Sequence, residues 1–161
     1  MIKSILKNTW PDIHLTLSGA IKDSGPMPEI PQNIPGRLTI DLEGLTAINS
    51  TGGRIWSGWI SNLSVAKGII LTKCSPSFIH QMNVLVGFVG PNARVESFFV
   101  PYYCASCGAD KAILYEVPPS VKTPADLKIK ESLTCSACAK DMQFDVVKER
   151  YFNFISRMAG S

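Results

Sequence analysis

Arg37-Leu38-Thr39-Ile40-Asp41-Leu42, followed by Asn49-Ser50-Thr51-Gly52-Gly53 and then by Ile55, Trp56, Trp59, Ile60 and Leu63, is the stretch on which the fold turns. Its first six residues read as a strand closed by Glu43-Gly44, and the apolar residues after Gly53 recur at helical spacing. A strand therefore leads into a helix. Asn49, Ser50 and Thr51 stand where that helix begins, and each offers a side-chain oxygen to an unsatisfied N–H of the first turn, a cap worth about 1 kcal/mol.

Upstream, Ile13-His14-Leu15-Thr16-Leu17 alternates apolar and polar residues before Ser18-Gly19, the pattern of a strand and its turn; His14, off the apolar set, reads as solvent-facing. Residues 23–36 carry Pro26, Pro28, Pro31 and Pro35, which excludes a helix and leaves a loop or extended arm. Downstream, residues 68–72 form a third strand, more uniformly apolar and hence central. Ser75-Pro76-Ser77 opens a second helix with Phe78, Ile79, Met82, Leu85 and Val86 on its apolar side and His80 on its polar side; Gly87 and Gly90-Pro91 mark its end. Residues 94–100 supply a fourth strand that runs without a linker into Pro101-Tyr102-Tyr103-Cys104. The alternation implies an α/β domain over residues 1–100 and a second unit over residues 101–161.

That second unit carries Cys104-Ala105-Ser106-Cys107 and Cys135-Ser136-Ala137-Cys138. Two Cys-x-x-Cys pairs supply the four thiolates of a closed tetrahedral site, and the residues between them suit a hairpin that returns the second pair to the first. No histidine lies near either pair, so the expectation is a structural zinc ribbon with no open position for substrate. Iron is the closest competitor, since Tyr103-Cys104-x-x-Cys107-Gly108 resembles a rubredoxin knuckle, although Ala139 and Lys140 replace glycine after the second pair. Two disulfides would need an oxidising compartment, whereas residues 1–10 carry Lys3 and Lys7 without the apolar core of a secretory signal, which points to a reduced, cytoplasmic setting. Cys74 reads as an ordinary buried thiol. Residues 112–117 are expected as the first ribbon strand, residues 131–134 lead into the second knuckle, and residues 142–146 form a strand after it. Val147, Tyr151, Phe154, Ile155 and Met158 then make one apolar stripe of a terminal helix that packs on its own sheet or ribbon, or else offers a partner surface.

With 161 residues, 45% of them hydrophobic, the chain can bury a true core. No run approaches the length of a membrane span. The net charge of +3 is divided evenly, with eight Lys/Arg against six Asp/Glu in residues 1–100 and eight against seven thereafter. Neither half has the basic footprint of a strong nucleic-acid binder.

Leu17-Ser18-Gly19-Ala20-Ile21, Leu38-Thr39-Ile40-Asp41-Leu42-Glu43-Gly44-Leu45, Ile48-Asn49-Ser50-Thr51-Gly52, Gly68-Ile69-Ile70-Leu71, and Ser75-Pro76-Ser77 before a helix ending in Leu85-Val86-Gly87-Phe88 occur in the order found in STAS domains, the fold of bacterial anti-sigma-factor antagonists. Residues 11–100 resemble that family. The resemblance implies a mixed sheet with helices packed on it, no enzymatic activity of its own, and a helix-opening turn whose hydroxyl is phosphorylated by a partner kinase. Thr51 falls at the phosphoacceptor position, with Ser50 beside it. A signalling or scaffolding role follows, in which Asn49, Trp56 and Trp59 contribute to a partner-binding surface. The alternative is a nucleic-acid-associated accessory protein that acts through its ribbon, with Tyr102, Tyr103, Lys111, Lys140 and Lys148 as contacts. Asp41, Glu43, His14 and His80 form no acid–base or nucleophile constellation in sequence.

Overall fold

The computed structural model describes residues 1–23 and 25–159. It is a mixed α/β structure. Strands β1 (Lys3–Thr9), β2 (Asp12–Ile21), β3 (Leu38–Ile48), β4 (Ile69–Thr72) and β5 (Ala93–Val95) make one sheet in that spatial order. The β1–β2 pair is antiparallel and the other neighbours are parallel. Helices α1 (Ser50–Ser61) and α2 (Pro76–Val84) supply the crossovers. A second, antiparallel sheet follows, in the order β7 (Asp110–Glu116), β6 (Ser97–Tyr103), β9 (Asp141–Phe144), β8 (Ser132–Thr134), and the chain closes with α3 (Lys148–Tyr151) and α4 (Asn153–Ala159).

Side chains alternate across a strand, so register decides what is buried. Ile13, Leu15 and Leu17 of β2, Leu38, Ile40 and Leu42 of β3, and Ile69 and Leu71 of β4 are aligned on one face and buried there against the helices. The opposite face keeps His14 and Thr16 exposed, as expected for His14. Trp56 of α1, Phe78 of α2 and Phe88 form an aromatic cluster over the covered face, with the Trp56 and Phe78 rings edge-on at 5.1 Å. The proline-rich segment is an extended arm strapped across α1: the Trp59 indole N–H donates to Pro28 O at 3.1 Å, and Ile34 bridges to Val65.

Several boundaries differ from the sequence reading. β1 has no counterpart in it, because Lys3–Thr9 is exposed along its whole length and carries no amphipathic pattern. β2 continues past Gly19 and β3 past Gly44, with register shifts between them. At Gly44 a Cβ would stand 2.7 Å from Ser18 Cβ, so this glycine permits close strand approach rather than ending the strand. α2 stops at Val84, leaving Val86 outside the helix and almost fully exposed. The expected fourth strand is two: β5 completes the first sheet, and after Glu96 the chain enters the second. The terminal helix is broken at Phe152, and Val147 is exposed while Phe152 is buried in its place.

β6 ties the two sheets into one core. Its Phe98 bridges Cys74 at the end of β4, while the Cys74 N–H donates to Ser97 O at 3.0 Å and the Phe99 N–H donates to Cys74 O at 2.9 Å. The Phe98 ring contacts Tyr151, Phe152 and Phe154, and the Tyr151 hydroxyl donates to Phe99 O. At the far edge of the first sheet, Met158 Sδ of α4 accepts the Val95 N–H at 3.2 Å. The final helices thus pack on their own protein.

Candidate functional site

Each Cys-x-x-Cys pair sits at a strand end and is folded by the same two backbone bonds. In the first knuckle the Cys104 N–H donates to Ala109 O at 2.9 Å and the Gly108 N–H to Cys104 O at 2.8 Å. In the second the Cys135 N–H donates to Lys140 O at 2.7 Å and the Ala139 N–H to Cys135 O at 2.8 Å. Antiparallel pairing of β6 with β9, and of β9 with β8, brings the knuckles face to face.

The sulfurs of Cys104, Cys107, Cys135 and Cys138 all lie within 4.8 Å of one another. Cys104 and Cys138 are 3.5 Å apart, and Cys107 and Cys135 3.6 Å. A tetrahedral ion with metal–sulfur bonds of about 2.3 Å needs sulfurs about 3.8 Å apart, so the set can close around one metal ion. Its electrostatics favour a cation. The N–H groups of Cys138 and Ala137 bring the Cys135 thiol down to about 7. The Ala109 N–H also favours a Cys107 thiolate, but the crowded sulfurs of Cys135, Cys104 and Cys138 push that group up to about 12. Four thiolates this close need a positive ion to coexist. Cys74 lies outside the cluster, fully buried, and burial pushes its thiol well above the ordinary range.

The helix-opening turn is organised differently from the cysteine cluster. Of the three cap-forming residues only Asn49 caps: its Oδ1 accepts the Gly52 N–H at 2.7 Å and its Nδ2 donates to Asp23 at 2.7 Å. A Cβ on Gly52 would stand 1.9 Å from Ile21 O, so the first turn of α1 sits directly on the end of β2. Ser50 and Thr51 point outward and are exposed, as is Arg54 one turn along. The first turn contains no acidic residue.

The remaining expected contacts separate. Trp56, expected on a partner surface, is fully buried because its helix position faces Phe78 and Phe88. Trp59 is half-buried and held by the arm, and Asn49 is half-buried by its capping role. Among the residues proposed for a nucleic-acid surface, Tyr102 is buried, its hydroxyl shared with the Tyr115 hydroxyl at 3.0 Å and with Lys130 O. Lys148 is paired with Glu131. On the open sheet face Lys73 Nζ lies 3.2 Å from Asp41 and 2.9 Å from Glu43, an ion-pair group whose lysine stands thirty or more residues from both carboxylates in the chain and which carries no local sequence signal. No helix is long and apolar enough to cross a membrane among the described residues. No protein-family model, curated protein or solved structure matches this chain.

Proposed function

We propose that this protein is a non-enzymatic, STAS-like signalling or scaffolding module, switched at the turn that opens α1 and stapled by a structural zinc ion on Cys104, Cys107, Cys135 and Cys138. The observation that carries the reading is the division of labour in the turn. Asn49 completes the cap, which leaves the exposed hydroxyls of Thr51 and Ser50 outside the capping bonds. A kinase-like regulator would find Thr51 at the helix surface. Phosphorylation there adds a charge of about −2 beside the positive end of α1, with Arg54 at i+3 as a cationic neighbour. The helix tolerates that charge, while the docking surface around Ser50, Thr51 and Arg54 changes sign.

Zinc suits the second half of the proposal because a closed four-thiolate shell offers no coordination site for chemistry. It links the strand ends of the second sheet, whose packing on β4 and α2 fixes the first. The test of the switch is recovery of the protein partner from native cells, followed by binding of Thr51→Glu. Roughly tenfold weaker binding, about 1.4 kcal/mol, with an unchanged melting temperature is expected. Thr51→Glu that binds as tightly as the parent overturns the switch, and iron in the purified protein overturns the metal.

A further inference from the structure

The two edges of the first sheet are treated in opposite ways. β5 is three residues long and is capped by α4 through the Val95–Met158 contact. β1 is seven residues long, pairs among the described residues only with β2, and is exposed at every position. It presents an unpaired row of backbone donors and acceptors with Ile5 and Leu6 on it and Trp10 just beyond, all three well exposed. Such an edge is a template for another strand, and folds usually shorten, cover or distort it. Here Lys3 and Lys7 place charge on it, but among the described residues it is neither shortened nor covered.

Its residue pattern selects the strand that fits. Two copies joined antiparallel across a two-fold axis perpendicular to the sheet keep their helix-bearing faces on the same side. This requires that residues of like parity face each other. Centring on Ile5 sets Lys3 against Lys7 of the second copy, and centring on Lys7 sets that lysine against itself. Centring on Leu6 avoids both. It pairs Leu6 with Leu6, Ile5 with Lys7, Ser4 with Asn8 and Lys3 with Thr9, and uses every residue of β1. Beyond the strand it brings Ile2 opposite Trp10. Centring on Ser4 or Asn8 also keeps the lysines apart but leaves part of β1 unpaired, so the Leu6 register alone combines full pairing of the strand with separated lysines, like charges directly opposite being unfavourable. Ile5 and Lys7 lie with Thr16 and His14 on the open face, and Leu6 lies with Leu15 on the covered face, so both sheet surfaces continue across the junction.

We propose that β1 is the interface between two copies of this chain, paired antiparallel about Leu6 so that two five-stranded sheets become one continuous sheet. This dimer surface is separate from the Thr51 turn and does not depend on it.

The test uses the full chain. Light scattering across a concentration series is expected to show a reversible dimer, and protein that stays monomeric at the highest concentration overturns the proposal. Ile5 is exposed, so its replacement leaves folding intact, which a thermal melt verifies. Ile5→Lys, opposite Lys7 of the second copy, should weaken the dimer roughly threefold to tenfold, and Ile5→Glu should tighten it by a similar factor. Equal effects from both overturn the register. Leu6→Cys should cross-link two copies under mild oxidation, because facing Cα atoms in antiparallel strands lie about 4.5–5.5 Å apart, within disulfide range. Cross-linking of Lys7→Cys as readily as Leu6→Cys also overturns it.

Discussion

Gly108 and Ala139 hold the same place in the two knuckles. Each donates its N–H to the carbonyl of the first cysteine of its pair, and each has left-handed φ, 77° for Gly108 and 60° for Ala139. For alanine that conformation costs about 1–2 kcal/mol, partly offset in comparison with glycine by the greater entropy a glycine loses on folding. Ala139→Gly should therefore raise the stability of the metal-loaded protein by up to about 1 kcal/mol. Gly108→Ala should lower it by about 1 kcal/mol through backbone strain alone, since a Cβ there meets nothing within 4 Å. Denaturant titration of the two variants measures both.

Metal content should follow the cysteine cluster. Cys135→Ser leaves three thiolates and an open shell, and is expected to lose stoichiometric metal and melt earlier. Cys74→Ala should keep one metal per chain, because its sulfur is buried outside the cluster. Elemental analysis with thermal melts separates the two outcomes.

The cap should be worth more than the hydroxyls beside it. Asn49→Ala removes both the Gly52 and the Asp23 bonds, and is expected to cost about 1–2 kcal/mol. Thr51→Ala, which removes no capping bond, should stay within about 0.5 kcal/mol of the parent. Equilibrium unfolding of the two variants side by side decides it.

Stability should fall in alkali. Burial, reinforced by the charge that Cys74 would carry, pushes the Tyr151 phenol above its ordinary range. Above pH about 10 the unfolded chain releases a proton that folded Tyr151 retains, so unfolding becomes easier as pH rises. Tyr151→Phe should flatten that decline by up to about 1.4 kcal/mol per pH unit. At neutral pH it should cost about 1 kcal/mol for the lost bond to Phe99 O. Urea midpoints measured from neutral to alkaline pH test both halves.

The parts of this fold that could be read from the sequence are those whose signal is local. Asn49 before Gly52-Gly53, Ser75 before Pro76, and the two cysteine pairs each state their structure within a few residues, and α1, α2 and the sulfur cluster stand where they point. β1 was not legible because its order comes from pairing with β2, not from burial of one face. Nor was the change of sheet at Glu96, since residues 94–100 keep one extended pattern while their partners change from β4 to β7. Trp56 and Trp59 have the same composition signal three residues apart. Only the position of Phe78 and Phe88 decides that Trp56 goes inside.

The continuity of β6 has a consequence for dissection. A cut between Val100 and Pro101 would fall in mid-strand, divide the residues that pair with β7, and separate Phe98 from the rings of Tyr151, Phe152 and Phe154. The amino-terminal fragment would carry a bare aromatic face, and the carboxy-terminal fragment would keep its thiols while losing the strand that anchors them. The smallest piece of this fold that can be transplanted intact into another protein therefore reaches from β1 to α4.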